Sequence, residues 1–147
     1  MKYKYRYEAI LSYKEHLKDK AAVEFAMAQG NVNRIRNLIA GFEKEISDTN
    51  DSMEKRMRDK ISSNDILNYS EFITALQIKI EIQRIELLRA EQEVSEKRKN
   101  LLEKSRQCRI FEKLKEKDFK KWNTAINQLE LKEINEAAIV RHGKDFL

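Results

Sequence analysis

An apolar side chain recurs every three or four residues over most of this 147-residue chain. Two series keep an average spacing of about 3.5 residues, the period of a coiled coil. The first series is Ala28, Val32, Ile35, Ile39, Phe42, Ile46, Thr49 and Met53, with the upstream positions Ile10, Tyr13, Leu17, Ala21 and Phe25. The second series is Ile66, Tyr69, Ile73, Leu76, Ile80, Gln83, Leu87, Ala90, Val94, Lys97, Leu101, Lys104, Cys108 and Phe111. Spacing sustained over so many heptads predicts helices that supercoil against a partner helix.

Three members of the second series are polar, namely Gln83, Lys97 and Lys104. Polar side chains on a seam usually fix the register of the two helices, or lie where packing is loose and a long side chain reaches solvent. The alternative is a soft region that bends or twists against a partner.

The composition excludes folds that depend on tight turns. The chain has no proline, three glycines and 37% charged residues. Sandwiches, barrels and doubly wound sheets need more turn residues than this. Abundant Glu, Lys, Ile, Leu, Ala, Gln and Arg favour long helices. We therefore expect an all-α protein.

A cluster of helix-capping residues separates the two series. It spans residues 60–65, and we expect Ser63 or Asn64 to cap a helix that starts near Asp65. A short connection makes two amphipathic helices antiparallel neighbours. The prediction is a long antiparallel two-helix coiled-coil hairpin that forms a single domain over residues 1–147. Helix one spans about 7–58, the turn about 59–65 and helix two about 65–142.

The two predicted helices have unequal lengths. At 1.5 Å per residue the first would be roughly 78 Å long and the second roughly 117 Å. The first helix therefore covers the second only to about Glu116 or Asp118. The apolar face beyond that point comprises Trp122, Ile126, Leu129, Ile134, Ala137 and Val140. Because this face has no internal partner, we expect it to be a docking surface.

The amino terminus alternates Tyr3, Tyr5 and Tyr7 with basic residues. A period of two is typical of a strand, but one isolated strand is not stable. We expect a fraying start of helix one, with tyrosines available to a partner.

The predicted hairpin offers little for catalysis, because two packed helices do not build a sheltered pocket. His16 and His142 have no cysteine or carboxylate at metal-ligand spacing. Cys108 lies on the seam, where we expect a small core residue rather than a reactive thiol. Gly143 precedes a lysine but lacks the glycine-rich loop of a phosphate site. We expect no enzymatic activity, no cofactor and no metal site.

Basic residues concentrate between Lys97 and Lys121. Eleven Lys or Arg oppose four Asp or Glu there, a local balance of +7 in a chain of net charge +5. This basic band is the solvated face of a coiled coil, a surface for an acidic partner, or a nucleic-acid contact. Phe111, Phe119 and Trp122 keep helical spacing and form no stacking platform, which disfavours nucleic acid.

Cellular location follows from three features. The single cysteine fits a reducing compartment. No apolar run approaches the roughly 18 residues of a membrane span, and the basic amino terminus lacks the apolar core of a signal peptide. We expect a soluble cytoplasmic protein with no transmembrane segment.

Phe72 lies just after the predicted turn. The seam there runs through Tyr69, Ile73 and Leu76. Helical spacing places Phe72 on the shoulder of that seam, within reach of Leu76. A large aromatic in such a position is typical of an anchor that enters a partner's groove. The alternative, an aromatic that only widens the seam, stays open on periodicity alone.

Three segments carry a family pattern. The segment past the turn carries Ser63-Asn64, Asn68-Tyr69, Phe72-Ile73, Leu76 and Ile80. The amino-terminal segment carries Tyr5-Arg6, Ile10-Leu11 and Ala21-Ala22. The final segment carries Glu133, Ile134, Glu136-Ala137-Ala138 and Arg141. Together these segments resemble the flagellar export protein FliJ family, over essentially the whole length of the chain.

The resemblance implies a component of the flagellar type III export apparatus whose fold is similar to the central stalk of rotary ATPases. Members of this family insert into the ring of the export ATPase FliI, promote its assembly and contact the export gate protein FlhA. They also escort empty export chaperones. The resemblance therefore implies these three kinds of partner and no nucleic acid.

The resemblance also implies site residues. The expected gate contacts are Phe72, Leu76 and Phe42, and the expected ATPase-ring contacts are Trp122, Ile126, Leu129, Ile134, Arg109, Lys113 and Lys117. Some gate-proximal positions depart from the family pattern, namely Glu45, Thr49, Lys79 and Gln83. These departures favour a narrower gate contact centred on Phe72 and Leu76.

Three other functions remain open on the sequence. One is the equivalent stalk of a virulence-type injectisome, with the same fold and mechanism. Another is a structural coiled-coil spacer or homodimer, in which the face past Trp122 pairs with a second copy. The last is nucleic-acid binding through the basic band.

Overall fold

The chain folds into two long helices joined by a short bend. The computed structural model describes residues 2–145 and contains helix α1 (Glu8–Arg58, 51 residues) and helix α2 (Ser63–Asp145, 83 residues). There is no strand within that range. The predicted all-α hairpin with arms of unequal length is confirmed.

The chain divides into two compact units, and both helices contribute to each. The bend unit comprises Lys20–Leu102, and the terminal unit comprises Met1–Asp19 together with Glu103–Leu147. In the bend unit Glu24 pairs with Lys97 at 3.5 Å, and Arg36 further along α1 pairs with Glu91 at 3.2 Å. Residues further along α1 thus pair with residues earlier along α2, so the helices pack antiparallel.

The core of the bend unit is the predicted apolar seam. Its buried members are Ala21, Ala28, Val32, Ile35, Leu76, Ile80 and Ala90. Ile39, Leu87 and Val94 pack around Val32, Ile35 and Ala90 as half-buried neighbours. Every member of the second series from Ile66 to Phe111 is buried or half-buried, so the heptad reading of this helix is confirmed.

One polar seam residue has a direct partner on the other helix. The Lys97 ammonium donates to the Glu24 carboxylate at 3.5 Å, and both side chains are about one third exposed. The aliphatic part of the lysine side chain crosses the seam, and its ammonium reaches the edge. The charge is therefore paired without being buried. This geometry agrees with a register-fixing role for the lysine.

The bend positions the second helix through one capping side chain. Lys60 adopts a φ of 66°, a left-handed conformation that stops α1. The Ser62 hydroxyl then accepts a hydrogen bond from the Asp65 amide at 3.2 Å, and the Ser62 carbonyl accepts one from Ile66 at 3.2 Å. The cap is therefore Ser62, and the expectation of Ser63 or Asn64 was wrong by one or two residues.

The core of the terminal unit departs from the predicted stripe. Leu11, Tyr5 and Cys108 form its buried cluster, whereas Ile10 is 41% exposed and Tyr13 is 59% exposed. Assigning Ile10 and Tyr13 to the seam was therefore wrong. In this unit a chain segment before α1 packs on α2, and its Tyr5 shares the buried cluster with Leu11.

That segment, residues 2–7, is called the strap. Its Tyr5 is 7% exposed, and the Tyr5 hydroxyl donates to the Phe111 carbonyl at 3.2 Å. The Tyr3 hydroxyl donates to the Asp118 carboxylate at 3.0 Å and lies 3.4 Å from the Lys115 carbonyl. The strap is not helical, and Tyr3 and Tyr5 are committed to α2. The expectation of a fraying helix with tyrosines available to a partner was wrong for these two residues.

Polar contacts show that the two helices are antiparallel in the terminal unit as well. Lys115 pairs with Glu8 at 2.9 Å, and Lys14 donates to Gln107 at 3.1 Å. A search of residues 2–145 finds no helix long and apolar enough to cross a membrane.

Replacing Gly30 by alanine should stabilise the protein. Gly30 lies in the interior of α1, and a Cβ built on it meets no atom within 4 Å. Alanine should raise the free energy of unfolding by about 0.5–1 kcal/mol, because glycine loses more backbone entropy in a helix. Urea unfolding followed by circular dichroism measures the change. Gly143→Ala, in open space near the end of α2, is the control and should give a smaller gain; equal or absent gains would contradict the argument.

Tyr3 should make stability fall at alkaline pH. Burial, reinforced by the hydrogen bond to Asp118, raises the pKa of Tyr3 from 10.0 to about 12. Between these pH values the folded chain keeps a proton that the unfolded chain releases. This contribution to stability is therefore complete below pH 10 and is lost as pH rises towards about 12.

Phenolate absorbance, followed as the pH is raised, tests the behaviour of Tyr3. The Tyr3→Phe variant should lack one late-forming phenolate and lose stability less steeply above pH 10 than the unmodified protein. Tyr13→Phe, which removes a tyrosine that is 59% exposed, is the matched control. If Tyr3→Phe instead removed a phenolate that forms near pH 10, the Tyr3 hydroxyl would not be buried and hydrogen-bonded on α2.

Candidate interaction surfaces

The residues expected at the gate contact have different exposures. Phe72 is 49% exposed, whereas Leu76 is 2% exposed. Phe42 is half-buried, and the Lys79 ammonium lies 5.8 Å from the centre of its ring. Leu76 is a core residue of the seam, so its expected direct contact with a partner is contradicted by its burial. Phe72 keeps the position on the shoulder of the seam that its spacing predicted.

Phe72 lines a groove near the bend. The groove has a volume of about 460 Å³ and is lined by Asp48, Thr49, Ser52, Arg56, Asp65, Asn68, Tyr69 and Phe72. Residues of both helices form its walls, and all of them belong to the bend unit. A hydrophobic ring beside carboxylate, amide and hydroxyl groups suits recognition of an amphipathic surface.

Arg56 organises the polar side of this groove. Its guanidinium donates to the Tyr69 hydroxyl and to the Asp65 carboxylate, each at 3.4 Å. It also lies 5.9 Å from the centre of the Tyr69 ring. The hydrogen bond to Tyr69, with the nearby Asp65 charge, raises the pKa of Arg56. Sequence periodicity could place Tyr69 on the seam, but no signal in the sequence marked Arg56 or Asp65 as its neighbours.

The expected unpaired face of α2 is partly covered at its start. The Trp122 ring lies 5.5 Å from that of Tyr3 and 5.9 Å from that of Phe119. Tyr3 and Phe119 are themselves 5.1 Å apart in an edge-to-face arrangement. Trp122 is therefore half-buried by the strap, and including it in an unpaired face was wrong.

Beyond Trp122 the apolar side chains of α2 become exposed. Ile126 is still half-buried, whereas Leu129 is 48% and Ile134 is 65% exposed. Val140 is 58% exposed as well. Because these residues lie on a helix with ordinary polar side chains between them, they form a partly apolar surface of the terminal unit.

The basic band contains both paired and unpaired charges. Arg98 lies 5.7 Å from the centre of the Phe25 ring, and Arg106 pairs with Glu103 at 2.9 Å. Arg109, Lys113 and Lys117 are exposed and make no ion pair with any described residue. These three cations lie four residues apart, one above the other on α2. Their charge is available to an acidic surface.

Cys108 has the character of a core thiol. It is 1% exposed, and its sulfur donates to the Glu112 carboxylate at 3.5 Å. Burial, helped by this carboxylate, raises the pKa of the Cys108 thiol. Glu15 approaches as well, so that the three ligand atoms lie within 4.8 Å of one another. A raised pKa disfavours the thiolate that nucleophilic attack or metal binding requires.

Comparison with known proteins identifies the family. The family model described as "Flagellar FliJ protein" matches residues 3–145. The chain is also similar to the flagellar FliJ protein of Bacillus subtilis (strain 168), with 27% identity over 145 residues and 95% of each chain covered. No solved structure matches significantly. With the family model covering nearly the whole chain, this protein belongs to the flagellar FliJ protein family.

Proposed function

We propose that this protein is the stalk-like component of the flagellar export apparatus that inserts in the export ATPase ring and couples the ring to the export gate. Membership of the FliJ family makes it a component of flagellar protein export. The observation that supports ring insertion is the exposed apolar surface of α2 beyond Trp122. We propose that the protein has no enzymatic activity of its own and acts by contact.

The ring contact would combine apolar and basic side chains. Leu129 and Ile134 are 48% and 65% exposed, so a partner that covers them gains the free energy of burying apolar surface. Arg109, Lys113 and Lys117 project from the same terminal unit and have no ion pair with described residues. They would attract an acidic lining and set the rate of association.

Asymmetry would let such a stalk regulate the ring. Two antiparallel helices cannot present the same surface to every subunit of a closed ring. The stalk would therefore stabilise different states in different subunits. Its free energy of contact would couple nucleotide turnover to ring assembly without the stalk binding nucleotide.

The gate contact would use the groove in the bend unit. Phe72 supplies the exposed aromatic anchor, and Phe42 lies on the neighbouring helix with Lys79 over its ring. Leu76 would act indirectly, because its burial holds the helix on which Phe72 sits. Escort of export chaperones and a position at the cytoplasmic face of the inner membrane, reached through these partners, belong to the same proposal.

Disrupting the apolar surface should abolish stimulation of the ATPase. We expect the cognate export ATPase to hydrolyse ATP faster with this protein present, and to show density in the centre of its ring. The double variant Leu129→Glu, Ile134→Glu should lose both effects, because each change places a charge where a partner would exclude water. Hydrolysis assays with electron microscopy of the ring measure both.

The control for this experiment is a matched double variant on α1. Val23 and Met27 are 59% and 71% exposed and belong to the bend unit. Changing both to glutamate adds the same charge and should leave stimulation unchanged. Full stimulation by the Leu129 and Ile134 variant would refute ring insertion through α2. An empty ring with the unmodified protein would favour a structural spacer.

Removing the Phe72 ring should weaken binding to the gate protein. Phe72→Ala is expected to lower affinity about tenfold or more, since a central aromatic anchor carries a large share of binding free energy. Leu67→Ala, at a leucine that is 54% exposed on the same helix, is the control and should bind normally. Calorimetric titration measures both variants, and circular dichroism checks their helicity.

Leu76→Ala is unsuitable for that comparison. Leu76 is 2% exposed, and truncating a buried leucine costs roughly 2–5 kcal/mol of stability. Weaker gate binding by Leu76→Ala would therefore reflect the lower stability of the hairpin and would not identify a gate contact. Unchanged affinity of Phe72→Ala would contradict the anchor role.

A further inference from the structure

A second apolar row runs along α2 in the bend unit, away from the seam. Ile78, Ile82 and Ile85 are 57%, 53% and 53% exposed. Ile78 lies two residues after the buried Leu76 and two before the buried Ile80. Two residues correspond to about 200° around a helix. The row therefore faces away from α1, and α1 cannot cover it.

Three isoleucines follow one another on a solvated face of α2. They are spaced by four and three residues, and the exposed Ala75 precedes them by three, so the four side chains form one continuous outer row. β-branched residues lower helix propensity without gaining anything from water. A continuous apolar row of this kind marks a contact surface.

The outer row can pair with an antiparallel copy of itself. Glu71 lies seven residues before Ile78, and Arg89 lies seven residues after Ile82. Seven residues bring a side chain back to the same helix face. Each end of the row thus carries one charge, of opposite sign, at equal distance from the level of Ile80. An antiparallel copy of the same helix brings opposite charges together at both ends, Ile78 opposite Ile82, and Ala75 opposite Ile85.

We propose that a second copy of this chain docks on the outer row, antiparallel, about a two-fold axis at the level of Ile80. Ile78 then packs against the second copy's Ile82, and Ala75 against the second copy's Ile85. Glu71 faces the second copy's Arg89, and the same pair repeats across the axis. An isologous contact needs such a self-complementary surface, and a different partner would not require the symmetry.

Both terminal charges are free to make this contact. Glu71 makes no ion pair within the part of the chain that the structure describes. Arg89 pairs with Glu86 on its own helix at 3.0 Å, but its side chain is 72% exposed. Exposed ion pairs of this kind contribute little stability, so Arg89 exchanges one carboxylate for another at small cost.

The size of the row sets the expected affinity. Four side chains over about three turns bury less than the roughly 1,600 Å² of a standard interface. A weak dimer with a Kd on the order of 10 µM is therefore expected. The proposed ring and gate contacts use other residues. A failure to dimerise would therefore not contradict the proposed function, and a failure of the proposed function would not contradict the dimer.

Sedimentation equilibrium of the full chain from about 1 to about 300 µM tests the dimer. The unmodified protein should pass from monomer to dimer over this range. Ile82→Glu should weaken association at least tenfold, while circular dichroism shows unchanged helicity because Ile82 is already 53% exposed. Met27→Glu, at a methionine that is 71% exposed on α1, should dimerise as the unmodified chain does.

A charge exchange tests the antiparallel register. Glu71→Arg alone and Arg89→Glu alone should each weaken association roughly threefold to tenfold, since each places like charges opposite one another twice. The double variant should recover the original affinity, a coupling that only facing residues show. A monomer at every concentration would overturn the proposal. So would a dimer that tolerates Ile82→Glu but is lost in Ile134→Glu, or a double variant that does not recover.

Discussion

The apolar seam between α1 and α2 is the interaction on which the rest of the structure depends. Neither helix can bury its stripe alone, and 37% of the chain is charged. In the bend unit the buried side chains lie in a single layer between the helices, and none of the described polar side chains is buried. Such a core has no second layer to compensate for a lost contact. A buried residue such as Leu76 therefore stabilises the helix that carries the exposed Phe72.

A core of one layer suits the proposed function, which is to act by contact. Two antiparallel helices leave most of their side chains in solvent, and the recess beside Phe72 is an open groove. Catalysis needs groups that are held together and shielded from water. Binding needs only exposed side chains held at fixed spacing, and a helix supplies that spacing at every turn. The contacts proposed for the exposed Phe72, the apolar surface past Trp122 and the outer row would all use it in this way.

The sequence predicts most of this fold because a heptad period fixes which face of a helix is buried. All positions from Ala28 to Met53 and from Ile66 to Phe111 in the two series are buried or half-buried. The same periodicity correctly places Leu76 in the buried seam. The family resemblance, by contrast, implied that Leu76 contacts a partner. The prediction fails where the packing has no period. The strap is held by hydroxyl groups that donate to a carbonyl and a carboxylate of α2, and such contacts leave no mark in the spacing of apolar residues.

The strap also changes where the docking surface of α2 begins. Phe119 and Trp122 already pack on Tyr3, so a partner that used these rings would first have to displace the strap. Displacement would expose Tyr3 and break its hydrogen bond to Asp118, and the new contact would have to exceed that loss before it gained anything. Leu129 and Ile134 carry no such cost, because the described chain leaves both about half exposed or more. The free energy of the proposed ring contact would therefore come from the residues after Trp122, while the aromatic cluster keeps the amino terminus on the helix.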